Sequence, residues 1–118
     1  MTTAADVPLI DHDQLELLQA ALDPGELRAM LVQLPSAAHQ ALSAINAALA
    51  AGDLPQARKA AHVLKGSASS LGAARLAEVA RTIELELMTA GEIEACLPDL
   101  ADIIVATSDE LARWAERA

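Results

Sequence analysis

Apolar positions recur every three or four residues along almost the whole chain and are interrupted at a few places by glycine, proline and aspartate. This is the spacing of a buried helix face, and no stretch carries the alternation of a strand. Leu15, Leu18 and Leu22 predict a first short helix over about Asp11 to Leu22, with Asp11 as its cap and Gln14 in capping-box register. Asp23-Pro24-Gly25 ends it. Asp23 can cap the next helix, with Pro24 at its first position and Glu26 in its first turn. That second helix runs to about Ala51 on Leu27, Leu31, Leu34, Leu42, Ile45 and Leu49, and Pro35 is expected to kink it or split it.

Gly52, Asp53, Pro55 and Gln56 mark the stop of one helix and the capped start of another. The third helix carries Leu54, Ala57, Ala61, Leu64, Ala68 and Leu71 as its apolar stripe, and Gly72 is expected to end it. A fourth is expected from about Ala73 to Thr89 on Leu76, Val79, Ile83 and Leu87, broken by Gly91. The last carries Ile93, Leu97, Leu100, Ile104, Thr107, Leu111 and Trp114, with Pro98 marking a kink or a late start. Long helices joined by short turns pack antiparallel to their neighbours. The expected fold is therefore all-α, an antiparallel four-helix bundle with an additional short N-terminal helix. Residues 1–10 are expected to be a loose leading segment, and residues 11–118 the bundle domain.

Within the third helix, His62 lies one residue beyond the apolar position Ala61, so it is turned about 100° from the buried stripe. Lys65 and Gly66, three and four residues later, share its face. Imidazole is a nitrogen nucleophile near neutral pH, an ammonium offsets the charge of a phosphoryl group, and a glycine removes a side chain that would block an approaching partner. A helix-interior glycine costs about 0.5–1 kcal/mol relative to alanine, so Gly66 calls for a reason. Three are open: close approach of a partner, tight packing against a neighbouring helix, or a helix that ends at Lys65.

Charge adds to this. The chain of 118 residues has a net charge of −9, which argues against general nucleic-acid binding. Between Asp53 and Glu78, however, no acidic residue occurs, and Arg58, Lys59, Lys65 and Arg75, half of the eight Lys and Arg residues, lie there. Such a zone suits an acidic partner pocket or a transferred phosphoryl group; a merely solvated helix face is the other explanation. Apolar residues make up 53 % and aromatics 1 %, Trp114 being the sole aromatic, which favours closely packed helices. The single cysteine, Cys96, reads as a small buried hydrophobe, and its lack of a cysteine partner fits a reducing compartment. No apolar run approaches the ~20 residues of a membrane span and no secretion signal is visible, so a cytoplasmic, membrane-free location is expected. His12, His39 and His62 fall on separate helices without a matched ligand pair, and no metal centre is expected.

The run His62-Val63-Leu64-Lys65-Gly66-Ser67, continuing Ala68-Ser69-Ser70-Leu71-Gly72-Ala73 and then Leu76, closely resembles the signature of histidine phosphotransfer (HPt) domains of bacterial two-component phosphorelays. The helix pattern extends the resemblance from about Leu15 to Trp114. Ser70 departs from it, standing where the family often has Asn. The resemblance implies that His62 is the phosphoacceptor, that Lys65 stabilises the phosphoryl charge, and that Gly66 leaves room for the receiver domain. Glu84 occupies the position from which Gln or Glu often holds the acceptor ring through its other nitrogen; an ordinary exposed helix charge is the alternative.

The same resemblance implies a phosphocarrier without kinase activity or bound cofactor, with magnesium supplied by the receiver partner. Its partners would be the receiver domains of a hybrid histidine kinase and of a response regulator, and it would act as a monomer. Two alternatives remain at this point. The chain could be the phosphoacceptor module of a chemotaxis-type or hybrid histidine kinase, or a helical adaptor that is never phosphorylated.

Overall fold

The computed structural model describes residues 6–117. Five helices account for most of them: α1 (His12–Ala21), α2 (Pro24–Ala50), α3 (Leu54–Ser70), α4 (Ala74–Leu85) and α5 (Ala90–Arg117), with no strand among the described residues. The fold is all-α, as the periodicity predicts. Helix α3 packs between α2 and α4, and α5 closes the bundle against both, while α1 lies across one end. Three starts follow the predicted chemistry. Asp11, Asp23 and Asp53 accept from the backbone N–H of Gln14, Gly25 and Gln56 at 3.1, 3.0 and 3.1 Å, each filling one of the donors a helix start leaves open.

Other boundaries differ from expectation. Helix α2 is not split at Pro35. A missing ladder bond costs on the order of 3 kcal/mol, but Leu27, Leu31 and Leu34 before the proline and Ala38, Ala41, Ile45 and Ala48 after it are all buried on one side. Continuing the helix buries both sets at once. Pro98 likewise does not delay α5, because Ile93 and Leu97 are buried ahead of it. Helix α4 stops at Leu85 rather than Thr89. The N–H groups of Glu86 and Leu87 both turn back to the Thr82 carbonyl, at 2.9 and 3.1 Å, and close the last turn. Thr89 then serves the next helix: its Oγ accepts from Glu92 N–H, and its own N–H donates to Glu92 Oε1, both at 3.1 Å. This reciprocal box sets the start of α5 at Ala90, so Gly91 lies inside its first turn instead of breaking the chain.

The α3–α4 turn fixes the bundle's end. Gly72 has φ +76°, and a Cβ built there would meet Leu15 Cγ at 3.1 Å and the Asp11 carbonyl at 3.2 Å. Asp11 N–H donates to the Gly72 carbonyl at 2.7 Å, and Gln14 Nε2 donates to the Ser70 carbonyl at 3.0 Å, so α1 is seated on this turn. Residues 1–5 of the leading segment lie outside the described residues. Residues 6–10 run against α4, where Arg75 Nε donates to the Val7 carbonyl at 2.9 Å and Ile10 is buried.

The buried row of α3 is Ala57, Ala61, Leu64 and Ala68. Small side chains on both α3 and α2 let the two backbones approach closely, and the rest of the core is aliphatic. That stripe determines where the remaining positions of α3 point, His62 among them.

Candidate functional site

His62 emerges from the middle of α3 with its side chain 65 % exposed. Its Nδ1 faces Glu84 Oε2, on α4. An ionised carboxylate only accepts hydrogen bonds, so Nδ1 carries the proton and donates it. The other ring nitrogen, Nε2, is then the unprotonated one in the neutral ring, with its lone pair available. Glu84 Oε1 accepts from Lys65 Nζ at 2.6 Å. One carboxylate thus binds the histidine with one oxygen and the lysine with the other. Its side chain is only 12 % exposed, which removes the alternative of an ordinary exposed helix charge. Lys65 and, to a lesser degree, His62 hold the Glu84 carboxyl below the usual carboxylate range, against the opposing effect of burial.

Gly66 is part of the same face. Helix α3 continues through it to Ser70, and a Cβ built on Gly66 would have nothing within 4 Å. Two of the three explanations for this glycine therefore fail: the helix does not end at Lys65, and no neighbouring helix presses on residue 66. What a Cβ would occupy is open space next to His62. Ser70, the departure from the family's pattern, donates from Oγ to the Gly66 carbonyl at 2.9 Å.

The basic zone is divided in its duties. Arg58, one turn before His62, donates from Nη2 to the Leu87 carbonyl at 3.0 Å and so ties the α4–α5 connection to α3. Arg75 is turned to the N-terminal segment rather than to the histidine. Lys59 is exposed, and among the described residues it has no ion-pair partner. The acid-free character extends further than the stretch around His62, because no Asp or Glu occurs between Glu26 and Asp53 either. All of α2 beyond its first turn, and all of α3, lack negative charge on a protein of net −9. Between these two helices runs a shallow cleft lined by Ala37, Ala41, Ala44, Ala60, Val63 and Ser67, and Val63 beside His62 is exposed.

The remaining candidates stand apart. His12 and His39 are exposed on other helices, and among the described residues no group of three or more His, Cys, Asp or Glu comes together as a metal site would require. Cys96 is half-buried and unpaired, its thiol pushed up by burial and by Asp99. Sequence reasoning missed the contacts of Arg58 with Leu87 and of Arg81 with both Glu78 and Glu86. The Thr-x-x-Glu spacing of Thr89 and Glu92 was the signal that could have shown the α5 start.

The site is thus one exposed histidine on the face of a helical bundle, anchored through Nδ1 to a carboxylate of the neighbouring helix. The family model described as Hpt domain matches residues 11–117, and the chain belongs to that family. Hpt domains are histidine phosphotransfer modules of two-component phosphorelays, phosphocarriers that interact with receiver domains. No curated protein and no solved structure gives a significant match. Among the described residues, no helix is long and apolar enough to cross a membrane.

Proposed function

We propose that this chain carries phosphoryl groups on His62, taking them from the aspartyl phosphate of one receiver domain and giving them to the aspartate of a response regulator. The observation that carries the proposal is the tie between His62 Nδ1 and Glu84, which leaves Nε2 as the free nitrogen on an exposed ring. In the forward step the Nε2 lone pair attacks phosphorus. An N–P bond forms, and the P–O bond to the aspartyl carboxylate breaks with its electron pair leaving on that carboxylate. No proton moves. The ring keeps its Nδ1 proton and gains positive charge, which the Glu84 carboxylate faces directly. In the return step a second aspartate attacks, and the N–P electrons go back to Nε2.

In this proposal Glu84 orients the ring, Gly66 leaves room for the receiver, and Lys65 supplies the cation of the site. The receiver meets the acid-free α2–α3 face, whose cleft and exposed Val63 adjoin His62. Its own acidic pocket complements Lys59 there and is repelled by the acidic remainder of the surface. The chain brings a positioned nucleophile and no cofactor; magnesium belongs to the receiver, and nucleotide hydrolysis to a separate kinase. It acts in the cytoplasm as a monomer.

The test is incubation with a phosphorylated receiver domain, followed by detection of acid-labile, base-stable phosphate on wild type and on His62→Gln. Wild type should take up label and His62→Gln none, with the helical circular dichroism unchanged because the side chain is mostly in solvent. Equal labelling of both proteins, or none on wild type with several competent donors, rejects the proposal.

A further inference from the structure

We propose that the receiver straddles His62: besides the acid-free α2–α3 face, it seats an uncharged, apolar part of its surface on Leu85 and Met88, at the end of α4 and in the connection to α5. This rests on the reading of the chain as a phosphocarrier. What it adds is a second anchor, on the opposite flank of the acceptor ring.

The direction of the ring is the first reason. Successive residues of a helix are turned about 100° from one another. Going round α3 from the buried Ala61, Lys65 comes at about 40°, Arg58 at about 60°, His62 at about 100° and Val63 only at about 200°. Lys65 and Arg58 are bonded to α4 and its connection, whereas Val63 lines the cleft toward α2. His62 therefore stands nearer the α4 edge of its helix, and its Nδ1 is tied there, to Glu84. A partner resting on α2 and α3 alone would reach the ring from one side. To enclose it, the partner must also cover the α4 edge.

The second reason is what that edge presents. Ala74, Ala77, Glu78 and Arg81 of α4 line a cleft with Lys65 and Ser69 of α3. Leu85 follows Arg81 by four residues and Glu78 by seven, so it shares their face of α4, one residue beyond the Glu84 that holds His62. Met88 follows Leu87, whose carbonyl is bonded to Arg58 one turn before His62. Leu85 is 60 % exposed and Met88 72 %, and neither belongs to the core. Single exposed apolar side chains are ordinary on a protein surface. These two are set apart by standing together beside the acceptor.

The third reason is charge. Arg58 is engaged with the Leu87 carbonyl, Lys65 with Glu84, and Arg81 with both Glu78 and Glu86. The cations of this edge are matched already, so it cannot attract the receiver's acidic pocket as Lys59 does on the other flank. It offers apolar area instead, and the surface that fits it is an uncharged patch bordering that pocket. The two flanks then divide the work: the α2–α3 face steers the encounter by charge, and Leu85 and Met88 hold the docked receiver by burial.

The experiment is isothermal titration of magnesium-loaded receiver domains, several in turn, into wild type, Leu85→Gln combined with Met88→Gln, Lys59→Ala, and Val105→Gln as an exposed control on α5. Initial rates of phosphoryl acceptance at increasing concentrations of phosphorylated receiver give KM and kcat alongside. The double variant should weaken Kd and raise KM about tenfold with kcat unchanged, because it loses docking and no chemistry. That loss should be the same at low and at high ionic strength, whereas the loss in Lys59→Ala should fade as salt is added. Val105→Gln should match wild type, and circular dichroism should show the same helix content throughout. An unchanged Kd and KM in the double variant overturn the proposal, and so does an equal loss in Val105→Gln. If the double variant binds receivers normally but loses a dimer that sedimentation velocity detects in wild type, the patch serves a second copy of the chain and the proposal falls. If receivers bind wild type but deliver no phosphoryl group, the phosphocarrier function fails, while the binding constants still decide where the receiver sits. If no receiver binds, both fall.

Discussion

Gly66 and Gly72 stand in one helix and its exit turn, yet for opposite reasons. At Gly72 the fold leaves no alternative: the backbone is left-handed at φ +76°, and the Asp11 carbonyl and the Leu15 side chain fill the place of a Cβ. At Gly66 the backbone is ordinary α-helix and the place of a Cβ is empty. Alanine would fit there and would make a better helix. The α3–α4 turn is thus a region where sequence serves the fold, and the His62 patch is a region where the fold tolerates a less stable residue. A glycine that the isolated molecule does not need points to something outside it.

Substitution separates the two regions. Gly72→Ala should destabilise the protein by at least about 1–2 kcal/mol, the usual penalty of a left-handed conformation for a side-chain-bearing residue, with more from the contact at the Asp11 backbone. Chemical denaturation with a linear extrapolation measures it. Gly66→Ala should do the reverse and stabilise by about 0.5–1 kcal/mol, while phosphoryl uptake from a receiver slows. If Gly66→Ala is more stable and equally fast, the glycine does not serve receiver access. If Gly72→Ala is neutral, the turn is not the rigid seat of α1, and the contrast between the regions is lost.

What the sequence disclosed follows the same division. Helices, aspartate caps and the bundle were legible because each rests on short-range rules: a three-to-four spacing, a cap and its partner three residues on. The end of α4 and the start of α5 were misplaced because Leu87 continues the apolar spacing of α4 while belonging to the connection, and the Thr89–Glu92 box outweighs it. That α2 runs on through Pro35 was not legible, because local cost was visible and the burial on both sides of it was not. At the site, His62, Lys65 and Gly66 were found through helical spacing on one element. The contact with Glu84 crosses from α3 to α4 and depends on how these helices pack, so only a family pattern could name that residue. The Arg58 contact with a backbone carbonyl has no signature in the side-chain sequence at all.

The smallest effect expected is one of pH, and it tests whether the patch regains through charge some of what it gives up at Gly66. Glu84 is held below the ordinary carboxylate range by Lys65 first and by His62 after it, against the effect of burial. A carboxyl with a lowered value in the folded state binds protons less readily there than in the unfolded chain. Its contribution to stability is therefore complete above the ordinary carboxylate range and disappears as pH falls through the lowered folded value. Glu84→Gln removes that contribution. The stability difference between wild type and Glu84→Gln should shrink as pH falls through the acid range, as followed by thermal melts in a pH series. Glu110, paired with Arg113 on the more exposed surface of α5, is also lowered and provides the control. Added salt should screen the Glu110 pair more than the Glu84 network, because Glu84 is the more withdrawn of the two from solvent. If wild type and Glu84→Gln lose stability in parallel through the acid range, Glu84 is not the ionised hinge between Lys65 and His62. The patch would then be marked by its glycine alone.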